Sequence, residues 1–181
     1  LLWFMDLGVD FLLADWSNHL WEKQHWDERG DATAEIIHAT ELMLESMAVL
    51  RDEGLPVPKM VLMPGLSNGP PTTSGALNEM LEWKHHHYLR NPRFKGLFQE
   101  FDGKPLVVIL DTATLAAAPD FAPVSGEHWT VRWMSTQLQI TKHHEKGYWS
   151  WMDGSLYPIV TERDGKPEAI TVTPAYFGHG G

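Results

Sequence analysis

The sequence predicts an α/β fold of the (β/α)8 TIM-barrel-like kind, incomplete, with about six of the eight strands in one domain spanning residues 1–181. Three observations predict it. Apolar runs at residues 9–18, 59–64, 106–111 and 148–153 each end in a cluster of acidic, aromatic, amide or prolyl residues. A carboxylate ending an apolar strand is costly unless that end opens onto water or a ligand. Asp15, Asp111 and Asp153 therefore imply one shared mouth at the carboxyl ends of parallel strands. Strands and helices also alternate, and the strands are nearly continuous apolar runs, as in a parallel sheet covered on both faces. Finally, the segments after the strands are long, whereas those leading into them are short turns marked by Gly or Pro.

Each element has a local reason. Residues 1–7 read as a helix tail that Gly8 stops, and strand 9–15 follows at once. Residues 16–30 are polar and aromatic without a period and read as a loop. Asp31 caps a helix to about Glu53, with Ile36, Ile37, Thr40, Met43, Leu44, Met47 and Leu50 at helical spacing on one side. Gly54 ends it, and a Pro-containing turn leads to strand 59–63. Residues 64–74 are a loop by composition.

A second helix over about 75–89 carries Leu77, Met80, Leu81, Lys84 and Tyr88 down one side, and Asn91-Pro92 breaks it. Residues 94–100 are expected to be a short helix, and Asp102-Gly103 turns into strand 105–111. Residues 112–127, rich in Ala and Pro, form another loop. Strand 129–134, a helical stretch near 137–145 and strand 148–152 follow. Asp164-Gly165 then turns into a last strand, 169–173. The chain thus reads as truncated at both ends, with the rest of the barrel supplied by sequence outside it. An open flavodoxin-like or Rossmann sheet is the rival, but no Gly-rich phosphate loop follows the first strand.

Apolar content of 43% and charged content of 21% are those of an ordinary globular protein. The 14 Lys and Arg against 24 Asp and Glu give a net charge of −10, which argues against nucleic acid or an anionic membrane as the main partner. No apolar run approaches the roughly 20 residues of a membrane span. The absence of cysteine removes disulfides, thiolate metal sites and thiol nucleophiles. An exported location, periplasmic or extracellular, is expected, with any signal peptide upstream of Leu1.

Three segments carry a resemblance: residues 7–15 (LGVDFLLAD), residues 88–94 (YLRNPRF) followed by 102–106 (DGKPL), and residues 147–153 (GYWSWMD). Together they look like a glycoside-hydrolase barrel, similar to the family 99-like and family 71-like proteins, which include bacterial polysaccharide-degrading enzymes. In such proteins a DGKPL-type motif leads into a central barrel strand, and a late strand precedes a Gly-rich loop, matched here by residues 170–178. The resemblance implies hydrolysis of O-glycosyl bonds in a polysaccharide or glycan, without a cofactor. It also carries a departure. The glutamate pair credited with catalysis in family 99 lies beyond the last strand, in a segment this chain does not reach. The alternatives are a non-catalytic carbohydrate-binding barrel and an inactive fragment of a larger glycosidase.

The candidate catalytic set is Asp15, Asp111 and Asp153. Glycosidic cleavage needs two carboxyl groups roughly 5 to 10 Å apart, one as acid and one as base or nucleophile. Trp16, Asn18, Asn68, Trp151 and Tyr176 are the candidate substrate contacts, because indole faces stack on sugar rings and amides bond their hydroxyls. Their alternative is packing. The nine tryptophans, several at strand ends or in loops, favour an oligosaccharide or polysaccharide partner. The runs His85-His86-His87 and His143-His144 are not expected to bind metal, since consecutive helical residues point about 100° apart. Ser67, Ser74 and Ser135 lack a nucleophile elbow. Glu127-His128 lies at the wrong end of its strand for the expected mouth.

Overall fold

The computed structural model describes residues 1–19, 23, 26, 32–65, 73–111, 127–135, 147–151 and 158–172. Helix α1 (Leu2–Asp6) ends at Gly8, whose φ of +70° no β-carbon-bearing residue adopts readily. Strand β1 (Phe11–Trp16) leads to α2 (Ala32–Asp52), which buries Ile37, Thr40, Leu44, Met47 and Ala48, a 3.6-period stripe. Gly54, at φ +84°, ends it before β2 (Lys59–Pro64). Thr73 caps α3 (Ser74–Lys84), its hydroxyl accepting from the Ala76 amide at 3.1 Å. A π-helical turn, His85–Leu89, continues α3, and a 3-10 turn, Pro92–Phe94, follows.

Strands β3 (Glu100–Phe101) and β4 (Lys104–Asp111) form an antiparallel hairpin. Its Asp102-Gly103 turn has φ of 52° and 78°, the paired positive values that a two-residue hairpin turn demands. Strand β5 (Thr130–Ser135) and β6 (Trp149–Ser150) follow. Strands β7 (Val160–Arg163) and β8 (Lys166–Ile170) form a second antiparallel hairpin on Asp164-Gly165, with φ of 52° and 73°.

The sheet corrects the expected (β/α)8 TIM-barrel-like architecture with its six strands. Five parallel strands, in the order β1-β2-β4-β5-β6, make a curled, open half-barrel, with β3 antiparallel on β4 and three α-helices among the described residues. The sixth expected strand, 169–173, belongs to the separate β7-β8 hairpin. A strand inside a parallel sheet must be buried on both faces. Ile170 and Val172 are more than half exposed and cannot be such a strand. Asp-Gly between short β-prone runs is the strongest local hairpin signal, and at both sites it outweighed the strand-after-strand pattern. Residues 94–100, expected as a helix, hold only the end of the 3-10 turn, a parallel bridge from Phe98 to Met60 and the start of β3.

Strand alternation divides the core into two clusters. On one face Met60, Leu62, Val107 and Ile109 pack under α2, α3 and the π-turn, with Leu44, Met47, Leu77, Met80 and Tyr88. On the other, concave face, Val61, Met63, Leu106, Val108, Leu110 and Met134 pack with Leu13, Phe101, Trp149 and Trp151. No helix among the described residues is long and apolar enough to cross a membrane.

Candidate functional site

Of the three expected rim aspartates the structure describes Asp15 and Asp111, and it sets them apart. Asp15 is exposed, and its Oδ1 accepts from the Ser17 amide at 2.8 Å. Asp111 is fully buried and accepts from the Tyr148 hydroxyl at 3.3 Å. Burial first, and the Asp111 carboxylate second, push the Tyr148 phenol above its ordinary range. Asp15 is level with Met63, and the continuous β2-β4 register then sets it level with Val108, three residues short of Asp111. With two strand spacings between them, the Cα atoms are on the order of 14 Å apart. Alternation also sends Asp15 to the face of Leu13 and Met63, and Asp111 to the face of Ile109.

Trp16 is fully buried between sheet and helices, where its indole donates to Thr40 Oγ1 at 3.0 Å. It belongs to the core. The chain turns sharply after it. A β-carbon on Gly65 would stand 2.7 Å from the Ser17 backbone, so only glycine lets these two strand ends meet. Asn18 is exposed beside this turn. Asp153, Asn68 and Tyr176 lie outside the described residues.

Trp151 takes part in a different site, a cavity of about 770 Å³ on the concave face. Its walls include Phe101, Trp149 and Trp151, with Asp10, Gln99 and Glu168 as polar members. One ion cluster shapes it. Arg132 projects from β5 and is 4% exposed. Its guanidinium donates to Glu168 Oε1 from Nε at 2.8 Å and to Oε2 from Nη2 at 2.9 Å, the forked geometry of a strong pair. Nη2 also donates to Asp102 Oδ2 at 2.7 Å, and the guanidinium carbon lies 5.0 Å from the Phe101 ring centroid.

The indole of Trp149 donates to Glu168 Oε1 at 2.9 Å, which locks the ring's orientation at the cavity wall. Burial pushes the Glu168 carboxyl up, but the bonds from Arg132 and Trp149 outweigh it and hold the group below its ordinary range. Glu168 is therefore an ionised clamp. It pins the β7-β8 hairpin over the sheet and is unsuited to act as a proton donor.

A second cluster lies on the helical side. Lys84 is fully buried, its Nζ stands 2.8 Å from the Trp16 ring centroid, and it makes no hydrogen bond among the described residues. Tyr88 and Trp83 complete the aromatic surroundings. Burial drives the amine well below its usual range. His19 nearby donates from Nδ1 to the Trp16 carbonyl at 2.5 Å, and burial, with the Lys84 amine next, lowers it to about 4.

The three consecutive histidines part company. His87 Nε2 lies 2.6 Å from Glu41 Oε1, and its ring stacks on Trp83 at 4.4 Å. His86 accepts from Arg90 at 3.4 Å. His85 stacks on His128 at 3.8 Å, and burial, with His128 next, lowers its pKa.

Sequence reasoning singled out neither Arg132 nor Glu168 as part of a site. The available signal was an arginine in the middle of the apolar run Thr130–Ser135, which requires a buried anionic partner. Lys84 was visible as the one charge on an apolar helical stripe. Comparison with known proteins gives no match: no family model fits the chain, and no curated protein or solved structure is significantly similar to it.

Proposed function

We propose that this protein holds an oligosaccharide or a stretch of polysaccharide in the concave cavity. The carrying observation is the pairing of Trp149 and Trp151 with Phe101 around a 770 Å³ space whose remaining walls offer Asp10, Gln99 and Glu168. Flat aromatic faces take the apolar faces of sugar rings, and a few fixed polar groups take the hydroxyls. Trp149 is already oriented by Glu168, so little order has to be created on binding. A sugar ligand is also what the three sequence segments similar to family 99-like and family 71-like glycoside hydrolases would imply.

Glycoside hydrolysis is the second reading, favoured by Asp111, a buried carboxyl at the carboxyl end of the central strand with a tyrosine hydroxyl on it. The spacing and opposite faces of Asp15 and Asp111 fit the roughly 5 to 10 Å of a glycosidase pair poorly, so holding is favoured over cleaving.

Tryptophan fluorescence and calorimetry with a panel of soluble oligosaccharides test the reading. Trp151→Ala is expected to weaken binding at least about tenfold, in line with the loss of one stacking face. Unchanged affinity in both Trp151→Ala and Phe101→Ala, or no binding to any of the panel, sinks it. Release of reducing ends, abolished by Asp111→Asn, would move the assignment to the hydrolase reading.

A further inference from the structure

Among the described residues one group places three metal-ligating side chains together: the ligand atoms of Glu82, His85 and His128 all lie within 4.8 Å of one another. Glu82 and His85 are three residues apart at the junction of α3 and the π-helical turn, hence neighbours on one helical face. His128 arrives from the segment leading into β5. Its neighbour Trp129 is 3% exposed, and its indole donates to the Leu81 carbonyl at 3.2 Å, which seats this segment against α3. The three side chains are thus brought together by packed backbone on both sides.

Among the described residues none of the three is spent on another partner. His85 Nδ1 is buried and makes no hydrogen bond. His128 Nε2 reaches Glu82 Oε1 only at 3.9 Å, too long for a hydrogen bond. The His85 and His128 rings stack at 3.8 Å with planes 13° apart, an arrangement that two protonated imidazoles would oppose by charge repulsion.

We propose that Glu82, His85 and His128 bind one divalent transition-metal ion of the zinc type. Two imidazoles and a carboxylate suit zinc, nickel or copper and not magnesium or calcium, and in a chain without cysteine nitrogen and oxygen are the donors available. Bond lengths of about 2.0–2.2 Å in a tetrahedral site set donors roughly 3.3 to 3.6 Å apart, so the group closes by at most about 1.5 Å on binding. The half-exposed His128 and the exposed Glu82 make that movement, and the rings tilt out of their stack. Water fills the remaining position. The ion ties the end of α3 to the start of β5, and so fastens a helix to the central sheet.

The test uses the full chain carrying His143→Ala and His144→Ala, so that this other histidine pair takes up nothing. Calorimetry with zinc chloride on chelator-stripped protein is expected to show one tight equivalent, accompanied by a raised Tm. Cobalt in its place is expected to give the intense visible bands of a tetrahedral site. His85→Ala and His128→Ala each lose the equivalent and the bands. Glu82→Gln, on the exposed side, keeps the fold by circular dichroism and weakens zinc at least tenfold, while magnesium produces no effect in any variant. Uptake that survives His85→Ala and His128→Ala overturns the site, as does the lack of any tight equivalent in the parent chain.

Discussion

Arg132→Ala is expected to cost about 3 to 5 kcal/mol of folding free energy, the usual penalty for leaving one member of a buried ion pair alone. The side chains of Arg132 and Glu168 are 5% and 8% exposed, so neither ion is solvated. Removing the guanidinium strips two hydrogen bonds from the Glu168 carboxylate. Trp149 still donates one, and Arg163 stands 3.5 Å away, so the loss is partial. Asp102 matters less, since its side chain is 66% exposed and water replaces the lost contact.

Urea unfolding followed by tryptophan fluorescence measures the cost, and a loss below about 1 kcal/mol would show that the cluster carries little. Arg132→Met combined with Glu168→Met is expected to recover most of the stability, because an apolar pair of similar volume needs no desolvation. The pH dependence has a definite sign. Glu168 titrates lower in the fold than in the unfolded chain, so its contribution is present above the unfolded carboxyl range and lost as pH falls through the folded value. Arg132→Ala reduces that acid-side dependence, because only Trp149 and Arg163 then hold the carboxylate.

Lys84→Met is expected to stabilise the protein at neutral pH, an unusual direction for a core substitution. Lys84 is wholly buried among Trp16, Trp83 and Tyr88, with no hydrogen-bond acceptor among the described residues, and burial holds its amine well below the usual range. The unfolded chain keeps that amine protonated up to about pH 10.4. Folding therefore releases a proton, and below pH 10.4 each further unit costs about 1.4 kcal/mol until the folded value is reached. Wild-type stability should accordingly climb as the pH rises toward the unfolded amine's value. The methionine variant lacks this titration and keeps the stem's packing against Trp16. Unfolding curves at pH 7 and pH 9.5 check it. An equal difference between variant and wild type at both values would mean that the amine is solvated.

Much of the secondary structure was legible locally. The stripe from Ile37 to Leu44 and Met47 marks α2, Gly8 and Gly54 mark helix ends, and the apolar runs of β1, β2, β4 and β5 stand within a residue or two of expectation. The two Asp-Gly turns are legible as turns, but the strands that lead into them are not. Glu100–Phe101 is too short to show a pattern, and Val160–Arg163 has two charges in four residues. The candidate site fared differently. Trp151 does line a cavity, whereas Trp16 entered the core through a bond to Thr40, 24 residues away. Composition alone gives no means of telling a tryptophan under a helix from one facing a ligand.

By itself the sequence determined what depends on neighbours within about four residues: helix stripes, strand cores, glycine stops and the two hairpin turns. Tertiary structure decided how far the sheet extends and which carboxylates share a face, because register and strand alternation are set by pairing between distant segments. It alone joined Arg132 to Glu168, 36 residues on, and brought His85 to His128. A buried charge must find a partner somewhere, and only the packed chain decides where that partner stands.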